Sequence, residues 1–205
     1  MTVEIIAVGS ELLQGRDNSD LVYLSKKLNQ IGFSVQRAVT VADEISLISE
    51  SFKSALSRAD VVISTGGLGP TFDDLTREAL SKAVDKKLSF NKRLFEEIKK
   101  RFVKRGADCP EENRRQAYVF AKSKVLKNNF GTAPGLWVDL PKGKTAVLLP
   151  GPPCELIPMF EKFVFPRLLK KHNPPMYAQK IFYLCGLSES DVNHKIIRIV
   201  NASYK

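Results

Sequence analysis

Apolar residues along the chain follow two patterns, one typical of buried strands and one typical of amphipathic helices. Continuous apolar, β-branched runs at 3–8 and 61–65 predict buried parallel strands, because a strand covered on both faces shows no polar alternation. The run at 35–41 alternates and predicts a more exposed strand. Three helices are predicted by apolar residues at helical spacing, namely Leu21, Leu24, Leu28 and Ile31, then Ile45, Ile48, Phe52 and Ala55, and then Phe90, Leu94, Ile98 and Phe102.

The second half of the chain adds a predicted hairpin and a helix limited by prolines. GLWVDL (135–140) and TAVLLP (145–150) flank the turn sequence PKGK, which predicts a β-hairpin. The segment 154–171 is expected to be mostly helical, with Pro158 and Pro166 limiting or kinking it. Strands that alternate with helices in this way predict a three-layer α/β/α domain with a mostly parallel sheet.

The predicted domain occupies residues 1–172, and the sequence NPP after it marks a boundary. Residues 176–205 contain one strand-like run, QKIFYLCGL, and one helix-like run, SESDVNHKIIRIVN. Because two elements cannot bury a core of their own, this β-α extension packs on the first domain, pairs with another chain or begins a module cut short. The chain has neither a basic leader nor an apolar run of the roughly 18 residues that span a membrane, so we expect a cytoplasmic protein.

Composition narrows the chemistry that the chain supports. The only histidines are His172 and His194, so the first 170 residues hold neither a Ser-His-Asp or Cys-His site nor a His-rich zinc centre. The net charge is +10, and the segment 86–105 carries nine basic and two acidic residues. A solvated, lysine-rich helix face explains that segment. Nucleic-acid binding is the alternative, but no interleaved aromatic residues support it.

Three loops that follow predicted strands carry most of the candidate chemistry. Ligands of an open parallel sheet bind outside the carboxyl ends of its strands, so GSELLQG, GGLGPTFDDLT and GPPCE are expected to converge on one cleft. Gly66, Gly67 and Gly69 allow a ligand to approach the backbone closely. Thr71 and Asp74 have the T-x-x-D spacing of a capping box for the following helix. A tight turn and a capped helix without a ligand are the structural alternative.

The aspartates of the second loop raise an electrostatic question. Asp73 and Asp74 would repel a phosphate at this loop unless a cation lay between them. A divalent metal held by oxygen ligands resolves that conflict. Glu11, Asp43 and Glu155 each stand just beyond a strand end and are candidates for further ligands or a general base. For each of them alone, solvation at the surface is the plainer interpretation.

Two further segments carry candidate side chains. Arg114 and Arg115, in the sequence NRRQ, are candidates for clamping a phosphate or pyrophosphate, with a solvated helix face as the alternative. GTAPG (131–135) is either a plain entry to the hairpin or a wall of the cleft.

The motifs VGSELLQGRDNSD, STGGLGPTFDDLT, NRRQA, GTAPG and LPGPPCE, in this order, resemble the N-terminal domain of the competence/damage-inducible CinA family. The resemblance covers about residues 3–170 and implies the molybdopterin-binding fold of MoaB- and MogA-like proteins. It implies hydrolysis of ADP-ribose or a related dinucleotide to AMP and ribose 5-phosphate, dependent on Mg²⁺, Mn²⁺ or Co²⁺. A module that binds molybdopterin or a nucleotide without turnover is the alternative. The extension at 176–205 resembles part of a KH-like domain.

The resemblance also implies roles for individual residues and partners. Asp73 and Asp74 are the expected metal ligands. The expected catalytic residues are Asp43, Asp74, Arg114, Arg115 and Glu155. The expected substrate-binding residues are Gly9, Glu11, Asn18, Thr65, Gly66, Gly67, Gly69, Pro70, Thr76, Gly131, Thr132, Gly151 and Pro152. The expected partners are a small anionic nucleotide or pterin and further copies of the chain, with neither nucleic acid nor membrane.

Overall fold

The computed structural model describes residues 1–173 and 183–203, in which two β-sheets are present. The strands are β1 (Thr2–Val8), β2 (Ser34–Val41), β3 (Val61–Thr65), β4 (Leu88–Phe90), β5 (Tyr118–Phe120), β6 (Lys124–Leu126), β7 (Gly135–Asp139) and β8 (Thr145–Leu149). The main sheet has the order β2-β1-β3-β8-β7-β6, and β4 pairs with β5 in a separate sheet. Strands β2, β1, β3 and β8 are parallel, whereas β7 and β6 are antiparallel to their neighbours.

Helices cover both faces of the main sheet. The helices of the described ranges are α1 (Ser10–Leu13), α2 (Ser19–Gln30), α3 (Ile45–Arg58), α4 (Thr76–Val84), α5 (Lys92–Lys104), α6 (Pro153–Met159), α7 (Phe165–His172) and α8 (Glu189–Ser203). Short 3₁₀ turns occupy Glu111–Ala117 and Pro141–Gly143, and a π-helical turn at Phe160–Val164 joins α6 to α7. None of the helices in the described ranges is long and apolar enough to cross a membrane.

Two apolar clusters form the core, one on each face of the sheet. Ile6 of β1 packs in the cluster that contains Phe52 of α3, and its neighbour Ile5 packs in the cluster that contains Leu24 of α2. Successive side chains of a strand point to opposite faces, so a strand between two helical layers is apolar along most of its length. The predicted three-layer α/β/α fold is confirmed, and so is the exposed character of β2 at the sheet edge.

Several local predictions need correction. Phe90 belongs to strand β4 and not to the basic helix, which begins at Lys92. Ile45 is exposed, although it shares the spacing of the buried residues of α3. The predicted hairpin is confirmed by the antiparallel pairing of β7 with β8.

The extension after residue 173 is described only in part. The first four residues of the predicted strand QKIFYLCGL (179–182) lie outside the described residues, and its other five residues (183–187) have no regular structure. The helix-like run is confirmed as α8. The likeness to a KH-like domain and the boundary at 172 stay predictions.

Candidate functional site

A pocket of about 460 Å³ lies at the carboxyl ends of the parallel strands. The loops that follow β1, β3 and β8 contribute to its wall, and so does Asp43 beyond β2. Gln116 and the segment 132–133 complete the lining. The topology therefore brings the three predicted loops together at one site, where an open parallel sheet binds its ligands.

Most of the predicted site residues line this pocket. They are Gly9, Glu11, Asn18, Asp43, Thr65, Gly66, Gly67, Gly69, Pro70, Asp73, Asp74, Thr132, Gly151, Pro152 and Glu155. Four predicted residues are not in the lining, namely Thr76, Arg114, Arg115 and Gly131. Their contacts show that they act behind the wall of the pocket or away from it.

The charge of the pocket is opposite to that of the chain. The chain carries a net charge of +10, yet seven acidic residues and one basic residue, Arg16, line the pocket. The acidic residues are Glu11, Asp17, Asp20, Asp43, Asp73, Asp74 and Glu155. An anionic ligand would meet strong repulsion here unless a cation accompanied it.

The glycine loop is shaped by close packing. Gly66 and Gly67 have positive φ angles of 88° and 64°, which glycine adopts without strain. A Cβ atom on Gly66 would overlap the carbonyl oxygen of Val8, and one on Gly67 would overlap the hydroxyl of Thr76. Thr76 itself is buried, and its hydroxyl donates to the Gly66 carbonyl at 2.9 Å. Thr76 thus fixes the loop from beneath and does not face a ligand.

Two of the three glycines have backbone N–H groups that are not free to bind a ligand. The N–H of Gly66 donates to the Leu149 carbonyl at 3.0 Å, and the N–H of Gly69 donates to Asp74 at 2.7 Å. Both donors are therefore engaged within the protein. These glycines serve the close approach of β3 to its neighbours and the tight turn beyond it.

Asp74 organises the second loop. Its carboxylate accepts the N–H of Gly69 and, at 2.8 Å, the N–H of Thr71. The predicted capping box is thus half formed, but α4 begins only at Thr76 and its N-cap residue, Leu75, makes no side-chain cap. The hydroxyl of Thr71 lies within hydrogen-bond distance of both Asp73 and Asp74. Two carboxylates therefore converge on one point of the pocket wall.

Three arginines, Arg77, Arg114 and Arg115, do not line the pocket. Arg115 donates to the carbonyl oxygens of Thr71 and Asp74 and pairs with a side chain of α4. Arg114 stacks on the Phe90 ring at 4.4 Å. The predicted phosphate clamp is therefore corrected. The Arg115 guanidinium binds the loop backbone, and the Arg114 guanidinium covers an aromatic ring. Arg77 is buried and donates to a loop carbonyl at 2.8 Å, and burial lowers its pKa to about 10.

Two of the three other predicted acids, Asp43 and Glu155, accept hydrogen bonds from polar partners. Asp43 accepts the N–H of Ser10 at 2.7 Å and its hydroxyl at 2.9 Å, which ties the loop after β2 to the loop after β1. Glu155 accepts the amide of Asn128 at 2.6 Å. Asn128 is 1% exposed and also accepts the N–H of Gly131 at 2.8 Å. Gly131 therefore helps to fix the GTAPG loop around Glu155.

Residues 4–170 match the model of a protein family described as "Probable molybdopterin binding domain". The chain belongs to this family. Among curated relatives of this molybdopterin-binding domain, a "Putative competence-damage inducible protein" of Clostridium acetobutylicum is 43% identical over 191 residues, which are 93% of this chain and 46% of the relative. A "CinA-like protein" of Dictyoglomus turgidum is 40% identical over 203 residues, 98% of this chain and 49% of the relative. The chain thus spans about half the length of these relatives.

Solved structures agree with the family. The protein CinA of unknown function from Thermoplasma acidophilum is 33% identical and superposes with a TM-score of 0.72, covering 78% of this chain and 94% of that one. The molybdopterin biosynthesis enzyme MoaB from Thermus thermophilus is 18% identical, with a TM-score of 0.54 over 86% of this chain and 99% of that one. The first supports the resemblance to CinA proteins, and the second shows the shared fold.

Asp20 and Gln116 are among the residues of the domain's pocket that were not predicted to contact a ligand. Asp20 is 8% exposed, and burial raises its pKa to about 6 against the opposing effect of Arg16. Among the described residues, Asp20 Oδ1, Gln116 Nε2 and Asn18 Nδ2 are buried without a hydrogen-bond partner. Asp20 and Gln116 both stand within the quoted motifs, but their burial depends on how the loops fold and leaves no local signal.

The pair Asp73 and Asp74 was predicted to hold a metal. Within residues 1–173 and 183–203, no three His, Cys, Asp or Glu side chains are grouped so as to hold a metal ion. The two carboxylates that converge near Thr71 still match the donors that Mg²⁺ uses in nucleotide sites, where one or two carboxylates act together with substrate phosphates and waters. The donor set thus fits a divalent cation that arrives with a phosphate ligand, and the metal site stays a prediction.

Proposed function

We propose that this domain is a metal-dependent nucleotide pyrophosphatase of the cytoplasm, which hydrolyses ADP-ribose or a related dinucleotide to AMP and ribose 5-phosphate. The observation that carries the proposal is the acidic lining of the pocket, with seven acidic residues against one arginine at the carboxyl ends of the strands. A pyrophosphate can occupy such a pocket only together with a cation. The resemblance to CinA proteins supplies the choice of substrate.

In this proposal Asp73 and Asp74 hold the divalent cation, which when bound neutralises charge on the pyrophosphate. Asp74 also keeps its two backbone hydrogen bonds, so it fixes the loop that carries both acids. Asp73 has no backbone bond of this kind among the described residues and is the acid more directly available to a ligand.

Glu155 is the proposed general base. Its Oε2 atom accepts the amide of Asn128, which sets the orientation of the carboxylate at the pocket wall. The other oxygen is then available to accept a proton from water. The water oxygen forms a bond to one phosphorus as the bond from that phosphorus to the bridging oxygen breaks. Asp43 is less suited to this role because Ser10 donates two hydrogen bonds to one of its oxygens.

The test is release of AMP from ADP-ribose with Mg²⁺, Mn²⁺ or Co²⁺, and with a chelator. Asp73→Asn is the chosen variant, since Asp74→Asn would also disturb the loop backbone. Loss of a charge that binds the cation is expected to lower the rate at least about 100-fold. Asp108→Asn, an exposed position outside the pocket, is the matched control and should keep the wild-type rate. Absence of AMP with all three metals would contradict the proposal for this substrate.

A second candidate is a module that binds molybdopterin or a nucleotide without turnover. The description of the family as a molybdopterin-binding domain favours it. Retained binding of a pterin or nucleotide without any release of AMP would support this candidate. Homo-oligomerisation stays a prediction, and light scattering after gel filtration measures it.

A further inference from the structure

Gln116 is a polar residue of the pocket wall, and the NH₂ group of its side-chain amide makes no hydrogen bond within the described residues. It is fully buried at 0% exposure and lines the pocket. Its Nε2 atom has no hydrogen-bond partner among the described residues. A buried donor without a partner is costly, so proteins rarely keep one unless a ligand or water satisfies it.

The orientation of this amide is fixed by a neighbour outside the pocket. The side-chain amide of Asn113, itself 3% exposed, donates to Gln116 Oε1 at 3.0 Å. Since the oxygen of Gln116 is occupied in this way, its NH₂ group is the free end of the side chain. The hydrogen bond from Asn113 thus orients Gln116 so that its NH₂ group is available as a donor.

The location of Gln116 indicates which ligand atom would accept this hydrogen bond. The adjacent residue, Arg115, donates to the carbonyl oxygens of Thr71 and Asp74, so the 3₁₀ turn that carries Gln116 packs on the loop of the paired aspartates. The Gln116 amide is an uncharged donor, so it leaves the net charge beside these acids unchanged. Since Gln116, Asp73 and Asp74 line the same pocket, phosphoryl oxygens of a ligand whose cation lies at that loop are suitable acceptors for this donor.

We propose that Gln116 is a ligand-binding residue, whose side-chain NH₂ donates to a phosphoryl oxygen of the anion bound in this pocket. The inference rests on the proposed function for the nature of the ligand, but it concerns binding and not turnover. It distinguishes Gln116 from its neighbours Arg114 and Arg115, which lie outside the pocket.

The test measures binding of a ligand that the chain cannot hydrolyse. Calorimetry gives the affinity of the full chain for α,β-methylene ADP-ribose with Mg²⁺, an analogue whose P–C–P bridge resists hydrolysis. Gln116→Met keeps the approximate size of the side chain and removes the donor. It is expected to weaken binding about 10- to 100-fold, since hydrogen bonds to charged groups are the stronger ones. Gln36→Met, an exposed position on β2, is the matched control and should bind as the wild type does.

A second variant tests the orienting role of Asn113. Asn113→Ala leaves the pocket lining unchanged but frees the Gln116 amide to turn. Weaker binding is therefore expected when Asn113→Ala is introduced into the wild-type chain. No further loss of affinity is expected when Gln116→Met is already present. Wild-type affinity in Gln116→Met would overturn the inference. So would a wild-type chain that binds neither the analogue nor pyrophosphate with Mg²⁺. Release of AMP is scored separately, so binding through Gln116 without hydrolysis would contradict only the proposed function.

Discussion

Replacing Asp20 by asparagine is expected to stabilise the domain at neutral and alkaline pH. Asp20 lies in the first turn of α2, faces the pocket and is 8% exposed, and its Oδ1 atom has no partner among the described residues. Burial raises its pKa from 3.8 to about 6, while the charge of Arg16 lowers it by less. The ionised carboxylate is therefore less stable in the folded chain than in the unfolded chain.

The size of the effect follows from that shift. A rise from 3.8 to about 6 corresponds to about 3 kcal/mol at about 1.4 kcal/mol per pKa unit. A negative charge in the first turn of a helix gains about 0.3–1 kcal/mol from the helix dipole, and asparagine loses this gain. The net increase in the free energy of unfolding is then about 2 kcal/mol, or about 4–8 °C in Tm for a chain of this size.

The sign of the pH dependence is fixed by the same shift. Because the folded pKa lies above the unfolded one, the folded chain binds the proton more tightly, and stability falls as pH rises from about 4 through about 6. Asp20→Asn removes this fall. The advantage of the variant is therefore greatest at pH 8 and is lost near pH 4.

The assay is urea unfolding of the wild type and Asp20→Asn at pH 8 and pH 4. Asp17→Asn is the control, since Asp17 belongs to the same segment and lines the pocket but is exposed. That control should change the free energy of unfolding by less than about 0.5 kcal/mol at either pH. Equal stability of wild type and Asp20→Asn at pH 8, or an advantage that persists unchanged at pH 4, would refute the reasoning.

Two further substitutions test the loops around the pocket. Gly66→Ala is expected to lower the free energy of unfolding by more than about 2 kcal/mol, because Cβ would overlap the Val8 carbonyl at a positive φ. Gly106→Ala also has a positive φ but open space around it, so a loss of only about 1 kcal/mol is expected, and a similar loss at both positions in urea unfolding would contradict the packing role. Asn128→Ala is expected to cost about 1–3 kcal/mol by leaving buried groups unpaired and to lower the rate of AMP release by freeing Glu155. An unchanged melting temperature would show that Asn128 does not hold its loop.

Much of the fold was predictable because it depends on local patterns. The apolar run of β1 packs on both faces of the sheet, so its sequence alone indicates a buried parallel strand. The convergence of the loops followed from topology, since parallel strands end at one edge of the sheet. Phe90 was assigned wrongly because its helical spacing to Leu94 coincides with a short strand that pairs with β5.

The directions of individual side chains in the site were less predictable. Asp74 has the spacing of a helix cap, but its carboxylate stabilises the turn because it accepts the N–H groups of Gly69 and Thr71. Arg115 was expected at a phosphate, yet its guanidinium donates to carbonyl oxygens of the loop. The burial of Asp20 depends on the path of the chain between β1 and α2, which no short motif encodes.

The central claim is that the acidic pocket takes an anionic ligand only together with a divalent cation. The most direct measurement is the affinity of the chain for α,β-methylene ADP-ribose by calorimetry, with Mg²⁺ and again with a chelator. We predict binding with Mg²⁺ that weakens at least about 10-fold when the cation is removed, since seven acidic residues then face the pyrophosphate. Equal affinity with and without the cation would contradict the claim.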